Sequence, residues 1–181
     1  MKGSKMSEKS KWKSDAEKAT EIVRAAGGRL VGRTRLQKTA YFLELVGLGA
    51  GFPFEYRHYG PYSEALADAV RAATMLDLLH EEEHKATWGG LYSIYTTTAK
   101  PNGGQSAERD ALIEKCAEVG PIELELAATA AFLSRTGERD PWSETARLKP
   151  EKAEEGRLEK AKELFASLRA IPTPDPLPDI V

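Results

Sequence analysis

Three stretches of this chain carry residue types that do chemistry elsewhere, and their spacing decides what each can do. His80-Glu81-Glu82-Glu83-His84 matches H-E-x-x-H, by which one helical face offers zinc two imidazoles with a glutamate as base. That chemistry needs a partly buried helix, yet no apolar residue occurs from His80 to Lys85. The segment reads as an exposed strand, on which the imidazoles share a face about 13 Å apart at roughly 3.3 Å per residue, too far for one metal. Gly27 to Thr34 follows G-x-x-x-x-G-K-[ST], except that Arg33 stands where the phosphate-binding lysine belongs. A phosphate loop follows a buried strand, whereas the residues before Gly27 have the period of an amphipathic helix, so Gly27 and Gly28 read as that helix's end. Cys116 has no base brought to it by a triad pattern and reads as a packed helix cysteine. No acid, base and nucleophile converge, so the expectation is no enzyme, no catalytic residues, no cofactor and no metal.

Arg29, Arg33, Arg35 and Lys38 form the compact basic run of the folded part. Such a run at a helix start binds phosphate or a carboxylate-bearing partner, or is simply solvated, and both readings stay open.

The elements that must position these residues follow from periodicity. Ala16, Ala19, Ile22, Val23 and Ala26 mark a first helix from a Ser14 cap to Gly27. A short extended piece, Arg29 to Arg33, leads to a second helix capped by Thr34, with Leu36, Thr39, Ala40, Leu43 and Val46 on one face. Phe52, Phe54 and Tyr56 alternate with polar residues and proline as a half-buried strand ending at Gly60-Pro61. Tyr62 or Ser63 starts a third helix running to about Leu79, with Leu66, Ala69, Val70, Ala73 and Leu76 inward and Glu64, Asp68, Arg71 and Asp77 outward. A hairpin follows, His80–Thr87 and Leu91–Thr98 around Trp88-Gly89-Gly90, and Pro101-Asn102-Gly103-Gly104 breaks the chain. Helices are expected over Ala107–Val119, from Pro121 to about Ser134, and around Leu158, Ala161, Phe165 and Leu168. The fold class is therefore α+β, mostly helical: a winged-helix-like core with a small antiparallel β-ribbon and a C-terminal helical lobe. Residues 1–13 read as a mobile basic arm, 14–100 as the core, 101–170 as the lobe packed on it and 171–181 as an extended, mobile Pro-rich tail.

The chain has 181 residues, with 26 Lys and Arg against 28 Asp and Glu, a formal charge of −2, so no global charge argues for nucleic acid. At 41% hydrophobic and 30% charged it can bury a core, and wholesale disorder is not expected. The uncharged run from Leu45 to Phe54 is about half the roughly 20 residues of a bilayer span, and no membrane partner is expected. Lys2, Lys5, Lys9, Lys11 and Lys13 are followed by no apolar segment, unlike a secretory signal. A single cysteine forms no internal disulfide, which suits a reducing cytoplasm.

Two segments are more distinctive: Gly32-Arg33-Thr34-Arg35-Leu36-Gln37-Lys38-Thr39-Ala40-Tyr41 and Phe54-Glu55-Tyr56-Arg57-His58-Tyr59-Gly60-Pro61-Tyr62-Ser63. They resemble the YwgA-type proteins of bacteria and archaea. That group is similar to the SocA-like, or Panacea, antitoxin domain, whose members share a K-L-Q-K-x-x-Y helix and a later Gly-Pro that opens another helix. The Leu124 to Leu133 run and Leu148-Lys149-Pro150 also look similar to the YwgA type, and the resemblance spans roughly Val31 to Arg169. Arg35 stands where many relatives have lysine, and Tyr62-Ser63 follows Gly-Pro where antitoxin relatives tend to have an aliphatic residue. The resemblance implies a cytoplasmic, non-enzymatic regulatory protein that binds another protein, in some relatives neutralising a toxin or handing it to a protease, or one accessory to a defence or mobile-element system. By position it makes Arg35, Gln37, Lys38, Tyr41, Tyr59, Tyr62 and Ser63 the partner-binding set and Leu36, Gly60 and Pro61 its structural frame. Leu36 and Tyr41 also read as core, and the polar tips of Gln37, Lys38, Tyr59 and Tyr62 are expected to face a shared cleft. The rival reading is a nucleic-acid-binding regulator using the Lys-rich arm with Arg29, Arg33, Arg35 and Lys38, because the third helix and the hairpin are too acidic for the usual DNA surface. Oligomeric state stays open.

Overall fold

The computed structural model describes residues 2–100 and 106–180; the chain break expected at Pro101–Gly104 lies outside the described residues. Helix α1 (Lys2–Ala25) leads through β1 (Arg29–Val31) into α2 (Arg33–Leu45), then a small hairpin of β2 (Glu55–Arg57) and β3 (Gly60–Tyr62), then α3 (Glu64–Met75). Next come β4 (His80–Lys85) and β5 (Leu91–Thr96), followed by α4 (Ala107–Glu118), α5 (Pro121–Arg135), α6 (Pro141–Leu148), α7 (Pro150–Ala153) and α8 (Arg157–Arg169). The fold is α+β and mostly helical, as expected.

The first sheet has the order β1-β5-β4, all antiparallel, with β5 central: Thr96 faces Arg29 on one side and His80 on the other. Helix, strand, helix, helix, strand, strand, with the first strand paired to the last, is the order and pairing of a winged helix. The β2–β3 hairpin is inserted between the second and third helices, with Arg57 opposite Gly60. The sequence HEEEHK forms an exposed strand, as its lack of apolar residues predicts. Ser63 caps α3, its Oγ accepting from the Leu66 N–H at 3.2 Å. Among the described residues, no helix is long and apolar enough to cross a membrane.

Helix α2 is the centre of the molecule. It packs against α1, α4, α5 and the strands β1 and β3. Leu36 through Leu43 are buried without interruption, so the expectation of a single apolar face fails: the helix is enclosed all round, polar residues included. It also starts before Thr34. The Leu36 N–H bonds the Gly32 carbonyl at 3.2 Å, and Gly32, at φ 99°, is the N-cap.

Several other expectations are corrected. Residues 1–13 were expected as an arm separate from the first helix, but α1 is helical from Lys2, and Ser14 lies inside it rather than capping it. The buried face of Ala16, Ala19, Ile22 and Val23 nucleates the helix, and the preceding Lys, Ser and Glu residues hold no proline to stop it propagating toward the N-terminus. The strand expected from Phe52 is confined to Glu55–Arg57, all three exposed, because the chain folds straight back through His58-Tyr59. Helices α6 and α7 had no expected counterpart; Trp142 of α6 is buried edge-on against Phe165 of α8, ring centres 5.8 Å apart.

The Pro-rich tail was expected to be extended and mobile. It is extended, but it packs on the end of α2: Ile171 and Leu177 are buried, and the Asp175 N–H bonds the Val46 carbonyl at 3.0 Å. Gly47, at φ 77°, makes room, since a Cβ there would lie 2.7 Å from Asp175 Oδ2 and 3.2 Å from Pro174 Cβ. Four prolines cost the tail little backbone entropy on ordering, so two aliphatic anchors suffice. Leu177→Ala is therefore expected to lower the free energy of unfolding by about 2–3 kcal/mol, measured by urea denaturation; a mobile tail would show no change.

Candidate functional site

Enclosing α2 creates a problem that the rest of the site solves. Lys38 is 1% exposed and Gln37 6%, so each must find partners inside the protein. Gln37 does so with one backbone residue: its Nε2 donates to the Ser63 carbonyl at 2.9 Å and its Oε1 accepts from the Ser63 N–H at 2.8 Å. Lys38 Nζ donates to the Pro61 carbonyl at 2.7 Å. The two side chains thus pin the Gly60–Ser63 segment to α2 and set where α3 begins. Gly60 is required there twice over: its φ is +80°, and a Cβ would lie 2.7 Å from Thr129 Oγ1 of α5.

Behind this segment lies an ionic cluster that the partner-binding set omits. Glu125 of α5 is 3% exposed. Lys149, between α6 and α7, donates to Glu125 Oε1 at 2.7 Å and to the His58 carbonyl at 3.0 Å. Lys152 of α7 donates to both carboxylate oxygens at 2.8 Å. Lys38 feels all three groups. Burial pulls its ammonium pKa down from 10.5 to about 8, Glu125 opposing the shift and Lys149 and Lys152 adding to it. Two ammonium groups therefore bind one buried carboxylate, whose charge also acts on Lys38.

The cluster opens to the surface as a pocket of about 690 Å³ between the β2–β3 turn and α6–α7. Tyr56, Leu148 and Pro150 line it together with Arg57, His58, Lys149, Glu151 and Lys152. Lys152 Nζ sits 4.8 Å from the centre of the Tyr59 ring. Arg57 is held by Glu55 at 2.5 Å and Glu64 at 3.0 Å and lies 4.9 Å over the Tyr62 ring.

The partner-binding set therefore divides. Tyr59 is exposed with its ring beside Lys152, whereas Tyr62 is half-buried and lines a separate pocket of about 320 Å³ together with Arg33, Gln37, Arg71 and Glu81. Gln37, Lys38, Tyr41 and Ser63 are buried; of the four residues expected at a shared cleft, Gln37 and Tyr62 line that one pocket, while Lys38 is held on the Pro61 carbonyl and Tyr59 lies outside it. Arg35 is turned inward, donating to the Val31 and Val119 carbonyls at 2.6 Å and so capping the C-terminal end of α4. Leu36, Gly60 and Pro61 are buried, as the frame residues. Arg29, Arg33, Arg35 and Lys38 do not form one basic surface. Arg33 is bound through two nitrogens to Glu81, at 3.1 and 3.0 Å, which raises its pKa; Arg29 alone of the four is exposed without such a carboxylate clamp.

The remaining chemistry-bearing residues lie apart. His80 and His84 flank Glu82 on exposed β4, at 3.3 and 3.1 Å, and among the described residues no group of three or more His, Cys, Asp or Glu could hold a metal ion. Cys116 is buried in α4, and desolvation pushes its thiol up to about 12. The missed residues, Glu125, Lys149 and Lys152, had one sequence signal: Glu125 is the one charged residue in the run Leu124–Ala131, and an acid on a buried face demands a cation.

A lysine whose folded pKa lies below its unfolded value lowers stability while both states are protonated, and that cost is relieved as pH rises from about 8 toward 10.5. Between pH 7.5 and 9 the wild type is therefore expected to gain about 1 kcal/mol of unfolding free energy relative to Lys38→Met, since Cys116 and the buried tyrosines titrate alike in both proteins. Urea midpoints at the two pH values measure it, and parallel pH profiles would refute it. No model of a known protein family matches this chain, and no curated protein matches it either.

Proposed function

We propose that this chain is a non-enzymatic regulatory module that binds another protein through the pocket face formed by the β2–β3 hairpin and α6–α7. The observation that carries the reading is the grouping of exposed Tyr56, Tyr59 and Leu148 around one pocket, at 39%, 57% and 41% exposure. Tyrosine and aliphatic side chains exposed together are the chemistry of protein interfaces. The surface that a winged helix ordinarily turns to DNA has the opposite character. Glu64, Asp68, Arg71 and Met75 are the exposed residues of α3, and Arg71 is paired to Asp68 and lies 3.8 Å from Glu64. The adjoining strand β4 carries Glu81, Glu82 and Glu83, and phosphates are repelled by such a face.

The likeness of the Gly32–Tyr41 and Phe54–Ser63 segments to YwgA-type and SocA-like proteins supports the same class and suggests its setting: an antitoxin-like role, or one accessory to a defence or mobile element. The nucleic-acid reading keeps one observation in its favour, the exposed Lys9, Lys11 and Lys13 on the N-terminal half of α1. Both readings are tested together. Tagged full-length protein, captured from nuclease-treated lysate of the cells that make it, is expected to retain a stoichiometric protein partner that Tyr59→Asp and Leu148→Asp lose. A labelled random-sequence duplex is expected to bind no tighter than about 10⁻⁴ M at physiological salt. Micromolar, salt-sensitive duplex binding abolished by replacing the three lysines with serine would overturn the proposal.

A further inference from the structure

Arg109, in the first turn of α4, is a buried cation without a partner. It is 8% exposed, yet among the described residues its guanidinium makes no hydrogen bond and no ion pair, and Nη1 lies out of reach of solvent with nothing to donate to. The other inward arginines are held: Arg35 donates to two carbonyls at 2.6 Å, and Arg24, also 8% exposed, is bound to Glu21. A guanidinium left unpaired inside a fold destabilises it, and an apolar side chain of similar length would not.

Arg109 lines a pocket of about 400 Å³ with Lys18 and Glu21 of α1, Leu48 and Ala50 of the loop after α2, and Ser106. It shares no residue with the pocket between the β2–β3 turn and α6–α7. The other charges nearby are already engaged. Lys18 lies 3.2 Å from Asp15, and Glu21 is bound to Arg24. Glu44 spends Oε1 on the Ala50, Gly51 and Phe52 N–H groups, at 2.8, 2.8 and 3.0 Å, which fixes the loop wall. Glu21 and Asp110 act on Arg109 only from beyond ion-pair distance, and Glu108 of the same turn forms no pair with it. What Arg109 lacks is one negative charge presented on acceptor oxygens.

We propose that this pocket binds a carboxylate carried on a short aliphatic body, its oxygens taking the Arg109 guanidinium while the body lies on Leu48 and Ala50. Ser106 caps α4 with its Oγ, which accepts the Arg109 N–H at 3.2 Å, so its hydroxyl proton remains as a further donor at the pocket. The N-terminus of α4 adds partial positive charge at the same place. One guanidinium matches one planar carboxylate in a two-point contact, whereas a phosphate dianion asks for a second free cation that the lining does not hold. The volume lies at the small end of ligand sites, about 300–1,000 Å³, and suits an acid of few carbons.

The probe is sodium 4-methylpentanoate, with 4-methylpentanamide as a neutral control of the same shape, titrated calorimetrically into the full chain in carboxylate-free buffer. The acid is expected to bind at least about tenfold more tightly than the amide, and Arg109→Met to erase that difference. Without ligand, Arg109→Met is expected to unfold at a urea concentration no lower than the wild type, the opposite of what loss of a structural arginine gives. Ala50→Glu carries a carboxylate into the pocket on the chain itself. It is expected to raise the urea midpoint of the wild type but not of Arg109→Met, and to block the acid. An acetylated tripeptide ending in leucine separates the two sources of the group: tighter binding than the free acid points to a protein C-terminus, weaker binding to a small molecule, and either result upholds the carboxylate. Equal affinity for acid and amide, undiminished binding in Arg109→Met, a lower urea midpoint in that variant, or inorganic phosphate binding as tightly as the acid would each overturn the proposal.

Discussion

A lysine and a glutamine on a helix enclosed on every side are the constraint from which the rest of this structure follows. Gln37 and Lys38 are both buried, and an unmet amide or ammonium in the interior costs several kcal/mol, so the backbone of another element has to be brought to them. The segment Gly60–Ser63 is that element. It offers Lys38 a carbonyl and Gln37 a carbonyl and an N–H, and its approach is close enough that only glycine fits at position 60, against Thr129. The start of α3 is fixed as a consequence, because Ser63 serves both as the partner of Gln37 and as the α3 cap.

The hydrogen bond of Lys38 goes to a neutral carbonyl, and the carboxylate that acts on its charge is Glu125 of the helical lobe. Glu125 is tolerable inside α5 only with cations near it, and Lys149 and Lys152 arrive from α6–α7 to supply them. Lys149 also bonds the His58 carbonyl, so the lobe holds the turn of the inserted hairpin as well as the carboxylate. One polar network therefore ties α2, the hairpin, α5 and α7 together. The pocket lies where that network meets solvent, with its walls on elements whose positions the network sets.

What was legible in the sequence divides along range. Periodicity is local, and it located the start of α3, the β4–β5 hairpin, α4 and α5 within a residue or two and marked α8, whereas α3 ends at Met75 and not near Leu79, the chain turning at Asp77 with φ 57°. Packing from distant elements is not local. The burial of α2 on all sides depends on α1, α4 and α5, so a helix that reads as one-faced proved central, and the polar residues taken as a binding surface proved internal. Glu125 and Lys149 are 24 residues apart, and nothing in their spacing pairs them. The tail misled for a related reason: proline-rich composition describes a stiff chain, and a stiff chain is mobile only until two aliphatic side chains find a groove.

The winged-helix order of the core says little about use, since a fold carries function only through the groups it exposes. Here the third helix and wing are acidic, with Arg33 and Arg71 neutralised by neighbouring carboxylates, so the face that would meet phosphates has been closed electrostatically. The aromatic and cationic chemistry lies instead on the insertion between the second and third helices and on the lobe that braces it. An insertion held only by its own three-residue strands would be marginal, as isolated two-stranded hairpins are. Lys38 and Lys149 hold it from opposite sides, by the Pro61 and His58 carbonyls. The two ammonium groups thus brace the turn that carries Tyr59 and the strand that carries Tyr56, and the position of both rings depends on them.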